Sequence, residues 1–268
     1  MKSATFLLII FTAGQASSSS LPKTRKWAPA AATADGRRVD CYPEPGASEG
    51  ACTSRGCLWT PATERIRNTP YCYLPDGVGY EPQGQYESSP ITLTKIAGNV
   101  ACPYGADISP LTVTYQNYGK ILNVKITSGG DRYEPPVDFP KAPADSTESL
   151  QFQGAVGTGG MFSFSVVRTS TNTKIFDTAI GGMFFSDQFI QIAAYVASPK
   201  MYGWGENYHP HLKHDMTSAY MEYPMFARDQ PPPSGGDSTL NLYGVHPFYM
   251  VVENDGKSSG ALILNSNA

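Results

Sequence analysis

From residue 91 onward, hydrophobic side chains recur at every second position, the period of a strand with one buried face. Leu111, Val113 and Tyr115 alternate with Thr112 and Thr114. Leu122, Val124 and Ile126 alternate with Asn123 and Lys125 until Ser128-Gly129-Gly130 breaks the run. Phe162, Phe164 and Val166 alternate with Ser163 and Ser165, and residues 189–192 and 261–264 are shorter apolar runs. Segments this short, bounded by Gly, Pro, Asn and Asp, predict an antiparallel β-sandwich over residues 91–268 rather than a parallel α/β sheet. Helical periodicity is scarce, and neither an internal repeat nor a parallel βαβ pattern is present.

The amino terminus follows a different rule. Lys2 precedes the apolar run Phe6-Leu7-Leu8-Ile9-Ile10-Phe11, and Gly14-Gln15-Ala16 supplies small residues for cleavage. The run is far below the ~20 residues that span a bilayer, so residues 1–16 are expected to be a cleavable signal peptide. The mature chain is then soluble, without a membrane span, secreted or lysosomal, and folded where cysteines can pair. Residues 17–36 are rich in Ser and Ala and read as a linker; residues 81–90 read as a polar spacer. Neither Asn68-Thr69-Pro70 nor the chain end makes a usable glycosylation sequon.

Composition adds two limits. Apolar residues at 41% and charged residues at 16% suit a folded interior, and 26 glycines with 22 prolines suit many turns. A net charge of -3 gives no reason to expect a nucleic-acid or anionic-membrane partner.

Residues 37–80 hold four of the five cysteines: Cys41, Cys52, Cys57 and Cys72. A segment of about 40 residues is too small to be stable on its core alone, and secreted modules of this size rely on disulfides. No CxxC pair is present, which disfavours zinc. Four cysteines allow three pairings. The strings Arg38-Val39-Asp40-Cys41, Arg55-Gly56-Cys57-Leu58-Trp59 and Pro70-Tyr71-Cys72-Tyr73 resemble a trefoil (P-type) domain. That family has six cysteines paired first to fifth, second to fourth and third to sixth. Here the first is missing and Leu58 replaces the fifth, so the loss removes one whole bridge. The resemblance implies Cys41–Cys57 and Cys52–Cys72. Cys102 is left over.

Six strings after residue 170 resemble the amino-terminal β-sandwich, galactose-mutarotase-like in fold, of glycoside hydrolase family 31. They are Lys174-Ile175-Phe176-Asp177-Thr178, residues 184–192, Tyr202-Gly203-Trp204-Gly205-Glu206, residues 226–232, residues 241–250 and residues 260–268. With a trefoil in front, they are similar to the lysosomal acid α-glucosidase, maltase-glucoamylase and sucrase-isomaltase group. The resemblance implies a retaining exo-α-glucosidase whose partner is an α-linked gluco-oligosaccharide, with no cofactor. Retention needs two carboxyl groups about 5 Å apart. In the family both lie on a (β/α)₈ barrel, which the resemblance places beyond residue 268. None of the 23 acidic residues here matches the catalytic strings, so no catalytic residue is expected in this chain.

The resemblance also implies a role for Arg228 and Asp229, which match a sandwich loop that reaches the barrel mouth and helps hold the sugar. A carboxylate can accept hydrogen bonds from two sugar hydroxyls; Pro231, Pro232 and Pro233 would restrict the loop. Read without the family, the pair is an ordinary solvated turn. His209, His211, His214 and Asp215 are zinc-ligand types, but Pro210 interrupts them and no i, i+4 pair forms, so no metal site is expected. His246, in an aromatic strand, is expected to be packed and hydrogen-bonded. Trp59 and Tyr73 serve equally well as sugar platforms or as structural aromatics.

Three functions compete: an enzyme part inactive without its barrel, a stand-alone secreted carbohydrate-binding protein, and, by fold analogy alone, a sugar mutarotase. The first predicts an exposed apolar patch on the sandwich face that would meet the barrel.

Overall fold

The computed structural model describes residues 5–13, 35–63, 65–129, 136, 138, 149–209, 211–229 and 241–265. The strands are β1 (Thr5–Ala13), β2 (Leu58–Trp59), β3 (Cys72–Tyr73), β4 (Tyr80–Pro82), β5 (Ile91–Lys95) and β6 (Leu111–Asn117). There follow β7 (Ile121–Thr127), β8 (Leu150–Val156), β9 (Phe162–Arg168), β10 (Thr173–Asp177), β11 (Phe184–Phe185) and β12 (Ile190–Gln191). The series ends with β13 (Tyr195–Val196), β14 (Met201–Asn207), β15 (Asn241–Val252) and β16 (Ser258–Leu264). One short helix, α1 (Glu49–Ser54), begins where the Ser48 hydroxyl accepts from the Ala51 amide at 3.3 Å.

The first module is small and cross-linked. Cys41 bonds Cys57 and Cys52 bonds Cys72, joining α1, the turn before β2, and β3. All four cysteines are buried with Leu74 and Val78. The sulfurs of Cys41, Cys57 and Cys72 lie within 4.8 Å of one another, a spacing suited to a metal, but sulfurs in disulfides offer no thiolate. Arg38 is buried beside them. Its guanidinium sits 2.7 Å from the Asp35 carboxylate, donates to the carbonyls of Thr60 (2.6 Å) and Pro70 (3.0 Å), and lies 4.6 Å from the Tyr73 ring centre. Five donors in a rigid fork let one residue satisfy several loop carbonyls that have no ladder partner.

The second module is a sandwich of antiparallel sheets. Eight strands run in the order β14-β15-β16-β1-β7-β6-β5-β4, and four in the order β13-β10-β9-β8. Leu122, Val124 and Ile126 of β7 point inward and their neighbours do not, as the alternation requires. They meet Phe152, Phe164, Val166 and Phe176 of the smaller sheet. Aromatic rings from Tyr115 through Phe152 and Phe164 to Phe176 stack at 4.2, 5.2 and 5.8 Å.

Three expectations change here. The alternation in β9 predicts exposed serines, but every residue of β9 is buried, Ser163 and Ser165 included. The spacer expected at 81–90 begins inside the sheet: Tyr80–Pro82 pairs with β5, and the fully buried Tyr80 donates its hydroxyl to the Ile108 carbonyl at 3.0 Å. The linker expected to reach residue 36 ends earlier, because Asp35 is buried against Arg38 in the trefoil module; residues 17–34 lie outside the described residues. The apolar leader is strand β1, paired on one side with β7 and on the other with β16. Departure of residues 1–16 would take this central strand out of the sheet.

Candidate functional site

Strand β15 carries the most unusual surface. Along it Tyr243, Val245, Phe248 and Met250 are exposed, whereas Tyr249 and Val251 face the core. Alternation normally places polar residues on the solvent side of such a strand. Tyr202 lies opposite Met250 on β14, and Leu262 lies opposite Phe248 on β16, so the apolar row is flanked by further apolar positions. Its neighbours approach it closely. A Cβ on Gly260 would meet the Phe248 ring at 2.7 Å, and one on Gly203 would meet the Phe248 carbonyl oxygen at 2.4 Å.

The Arg228 amide donates to the Leu242 carbonyl at 2.7 Å, which fixes residues 226–229 beside the start of β15. Phe226, Arg228 and Asp229 are exposed there. The two residues that the family resemblance singles out therefore stand at one end of the apolar row. Residues 231–233, the three prolines, lie outside the described residues.

The histidine region is structural in geometry. His214 is buried; its Nε2–H donates to the Gly203 carbonyl at 2.9 Å, and its amide donates to the Met201 carbonyl at 2.9 Å. The loop thereby covers the outer edge of β14, an edge otherwise open to pairing. His209 and His214 are 6.4 Å apart by ring centres, and Tyr223 packs 4.6 and 4.2 Å from them. Burial holds the His214 imidazole below its ordinary pKa. Asp215 accepts from the amides of Thr217 (3.1 Å) and Ser218 (2.9 Å) and from the Ser218 hydroxyl, which draws its pKa down to about 2. His246 is exposed on β15, opposite Gly205.

That loop also ties the sandwich to the trefoil module, a contact the sequence did not announce. The Arg67 amide donates to Ser218 and its carbonyl accepts from Tyr220, both at 2.9 Å; its guanidinium stands 3.5 Å from Asp215. The Tyr220 hydroxyl donates to the Asp35 carbonyl at 2.6 Å. On the trefoil itself, Tyr73 is held against Arg38, whereas Trp59 and the exposed Tyr71 meet edge to face at 5.8 Å. A small apolar cavity of about 20 Å³ between Val78, Leu93, Met161 and Phe164 has room for one water, not for a sugar ring. Among the described residues no helix is long and apolar enough to cross a membrane.

Comparison with known proteins agrees with both modules. Residues 31–75 match the Trefoil (P-type) domain family. The chain is 35% identical over 236 residues to human (Homo sapiens) intestinal sucrase-isomaltase, covering 86% of this chain and 12% of that protein. It is 31% identical over 254 residues to human probable maltase-glucoamylase 2, covering 87% of this chain and 10% of the relative. It is 28% identical over 244 residues to mouse (Mus musculus) lysosomal alpha-glucosidase, covering 86% of this chain and 24% of the relative. The chain thus spans a quarter or less of the length of these relatives. It carries a trefoil (P-type) domain and is similar, over most of its length, to the N-terminal region of these glycoside hydrolase family 31 enzymes.

Proposed function

We propose that this chain is the non-catalytic amino-terminal part of an α-glucosidase that hydrolyses terminal α-1,4-linked glucose, and that by itself it does not hydrolyse maltose. The supporting observation is the row Tyr243, Val245, Phe248 and Met250, an apolar face on the solvent side of β15. Such a patch marks a contact surface, and the natural occupant is the catalytic barrel of the same enzyme. Arg228 and Asp229, at the end of that row, would then lie where the barrel opens. There Asp229 accepts hydrogen bonds from sugar hydroxyls and Arg228 orients the loop. Two disulfides accord with passage through the secretory pathway, with secretion or lysosomal delivery as its end.

The test has two arms. The purified chain is incubated with maltose and glucose release is measured; release above a buffer blank would overturn the inactive-part reading. In a complete enzyme carrying this amino-terminal part, Asp229→Ala should raise KM for maltose about tenfold or more, the cost of a lost charged hydrogen bond. An unchanged KM would remove Asp229 from the sugar site.

The edge-to-face pair Trp59–Tyr71 favours a second reading, in which the trefoil binds glycans without cleaving them. Calorimetric titration with maltotriose, repeated with Trp59→Ala, decides it.

A further inference from the structure

The order of the large sheet contains a seam. Strands β4, β5, β6 and β7 are consecutive and form one antiparallel meander; β14, β15 and β16 form another. Within this sheet β1 alone lies between them. It pairs seven residues with β7, from Thr5↔Thr127 to Phe11↔Ile121, and seven with β16, from Leu7↔Leu264 to Ala13↔Ser258. Every other strand of the sheet comes from residue 80 or later, whereas β1 precedes the whole trefoil module. In topology it is a donated strand.

The position it fills has specific chemistry. Ile10 is 1% exposed, and its partners on the two sides, Leu122 and Ala261, are each 1% exposed. The small Ala261 leaves room for a branched aliphatic side chain at that position. Both flanking strands run antiparallel to the occupant, so their backbone donors and acceptors select one orientation and register. Without an occupant, β7 and β16 would each present an unpaired edge beside an opening into the core. That combination is the recognition mode of strand addition, in which main-chain hydrogen bonds supply affinity and one side-chain pocket supplies specificity.

We propose that the gap between β7 and β16 is a strand-acceptor site for an extended apolar peptide, filled in this chain by its own residues 5–13 and able to take that same nonapeptide in trans. The amino-terminal run then serves as a detachable plug: its loss, as expected of a signal peptide, opens the site, and a strand of like chemistry closes it. The inference does not depend on the glucosidase reading.

The experiment uses the full chain with a single protease site inserted between residues 17 and 34. After cutting, excess fluorescent peptide Thr-Phe-Leu-Leu-Ile-Ile-Phe-Thr-Ala, flanked by lysines for solubility, is added, and hydrogen exchange is followed by mass spectrometry. The expected result is one labelled peptide per chain, with amides of residues 121–127 and 258–264 protected while the site is occupied. A peptide with Ile10→Asp should bind roughly 100-fold more weakly, since a carboxylate would replace a fully buried side chain. In the uncut chain, Ile10→Asp should lower protection of both segments and leave that of residues 41–72 unchanged. Equal binding of the Ile10→Asp peptide, no binding at all, or full protection of both segments after residues 1–13 have left would each overturn the proposal.

Discussion

Arg168 and Glu253 form a two-pronged ion pair that joins the two sheets. Arg168 closes β9 in the smaller sheet, Glu253 follows β15 in the larger one, and both are buried. The Arg168 Nη2 to Glu253 Oε1 distance is 2.8 Å, and Nη2 also donates to the Ser258 carbonyl at 2.9 Å. Ser259 adds its hydroxyl to Glu253 at 3.0 Å. A buried charge pair repays its desolvation only when its remaining hydrogen-bonding positions are met, as several are here. Glu253→Gln should therefore destabilise the sandwich by about 3–5 kcal/mol, because the guanidinium is left uncompensated. Replacing both residues with methionine should cost far less. Urea unfolding of the parent chain and the two variants checks the order.

The trefoil module should respond to reductant before the sandwich does. Cys52–Cys72 closes a loop with a sequence separation of 20, worth about 3 kcal/mol through the unfolded chain. Mutating both cysteines to alanine should expose residues 41–72 to limited proteolysis while the fragment from residue 80 onward stays resistant. Gel analysis of a timed digest, with and without reductant, shows whether the two modules part in that order.

Some of this was readable in advance and some was not. The alternation that places Leu122, Val124 and Ile126 inward survives because β7 has one core face, and period two reports one-sided burial. It fails at Ser163 and Ser165 because β9 is covered on both sides. The amino-terminal run illustrates a deeper ambiguity. A signal peptide and a central strand ask for the same short apolar composition, and the strand's partners Leu122 and Ala261 lie more than 100 positions away, where no local pattern shows them. Arg168 and Glu253 are separated by 85 residues, and no local pattern connects them. Arg228 and Asp229 stood out by family resemblance alone; what the structure adds is the hydrogen bond from the Arg228 amide to Leu242 at the start of β15.

Acid should weaken the loop that seals β14. His214 is buried with Nε2–H committed to the Gly203 carbonyl, and burial depresses its pKa below the ordinary histidine value of about 6.5. Below 6.5 the unfolded chain takes up a proton that the folded one resists, so stability rises with pH across the window beneath that value. Acidification from pH 7 toward pH 5 should lower the melting temperature, and His214→Gln should flatten that dependence. A second loss belongs to Asp215, whose folded pKa of about 2 stands below its ordinary value; its contribution is present above pH 4 and disappears as pH falls toward 2. Thermal melts at half-unit pH intervals separate the two windows.

The apolar row on β15 should govern the chain's behaviour in solution. Val245 and Met250 project to solvent from a strand whose inward face is already held by Tyr249 and Val251. Replacing them therefore removes nothing from the core. Val245→Lys with Met250→Lys should leave the melting temperature within a few degrees of the parent, since exposed substitutions change stability by about 0.5 kcal/mol or less. The same pair should raise the concentration at which the isolated chain begins to scatter light, because like charges now interrupt the contact surface. The two readouts must move independently. A melting temperature that falls as solubility rises would mean that the row packs against part of this chain, and would withdraw it as the docking face for a catalytic domain.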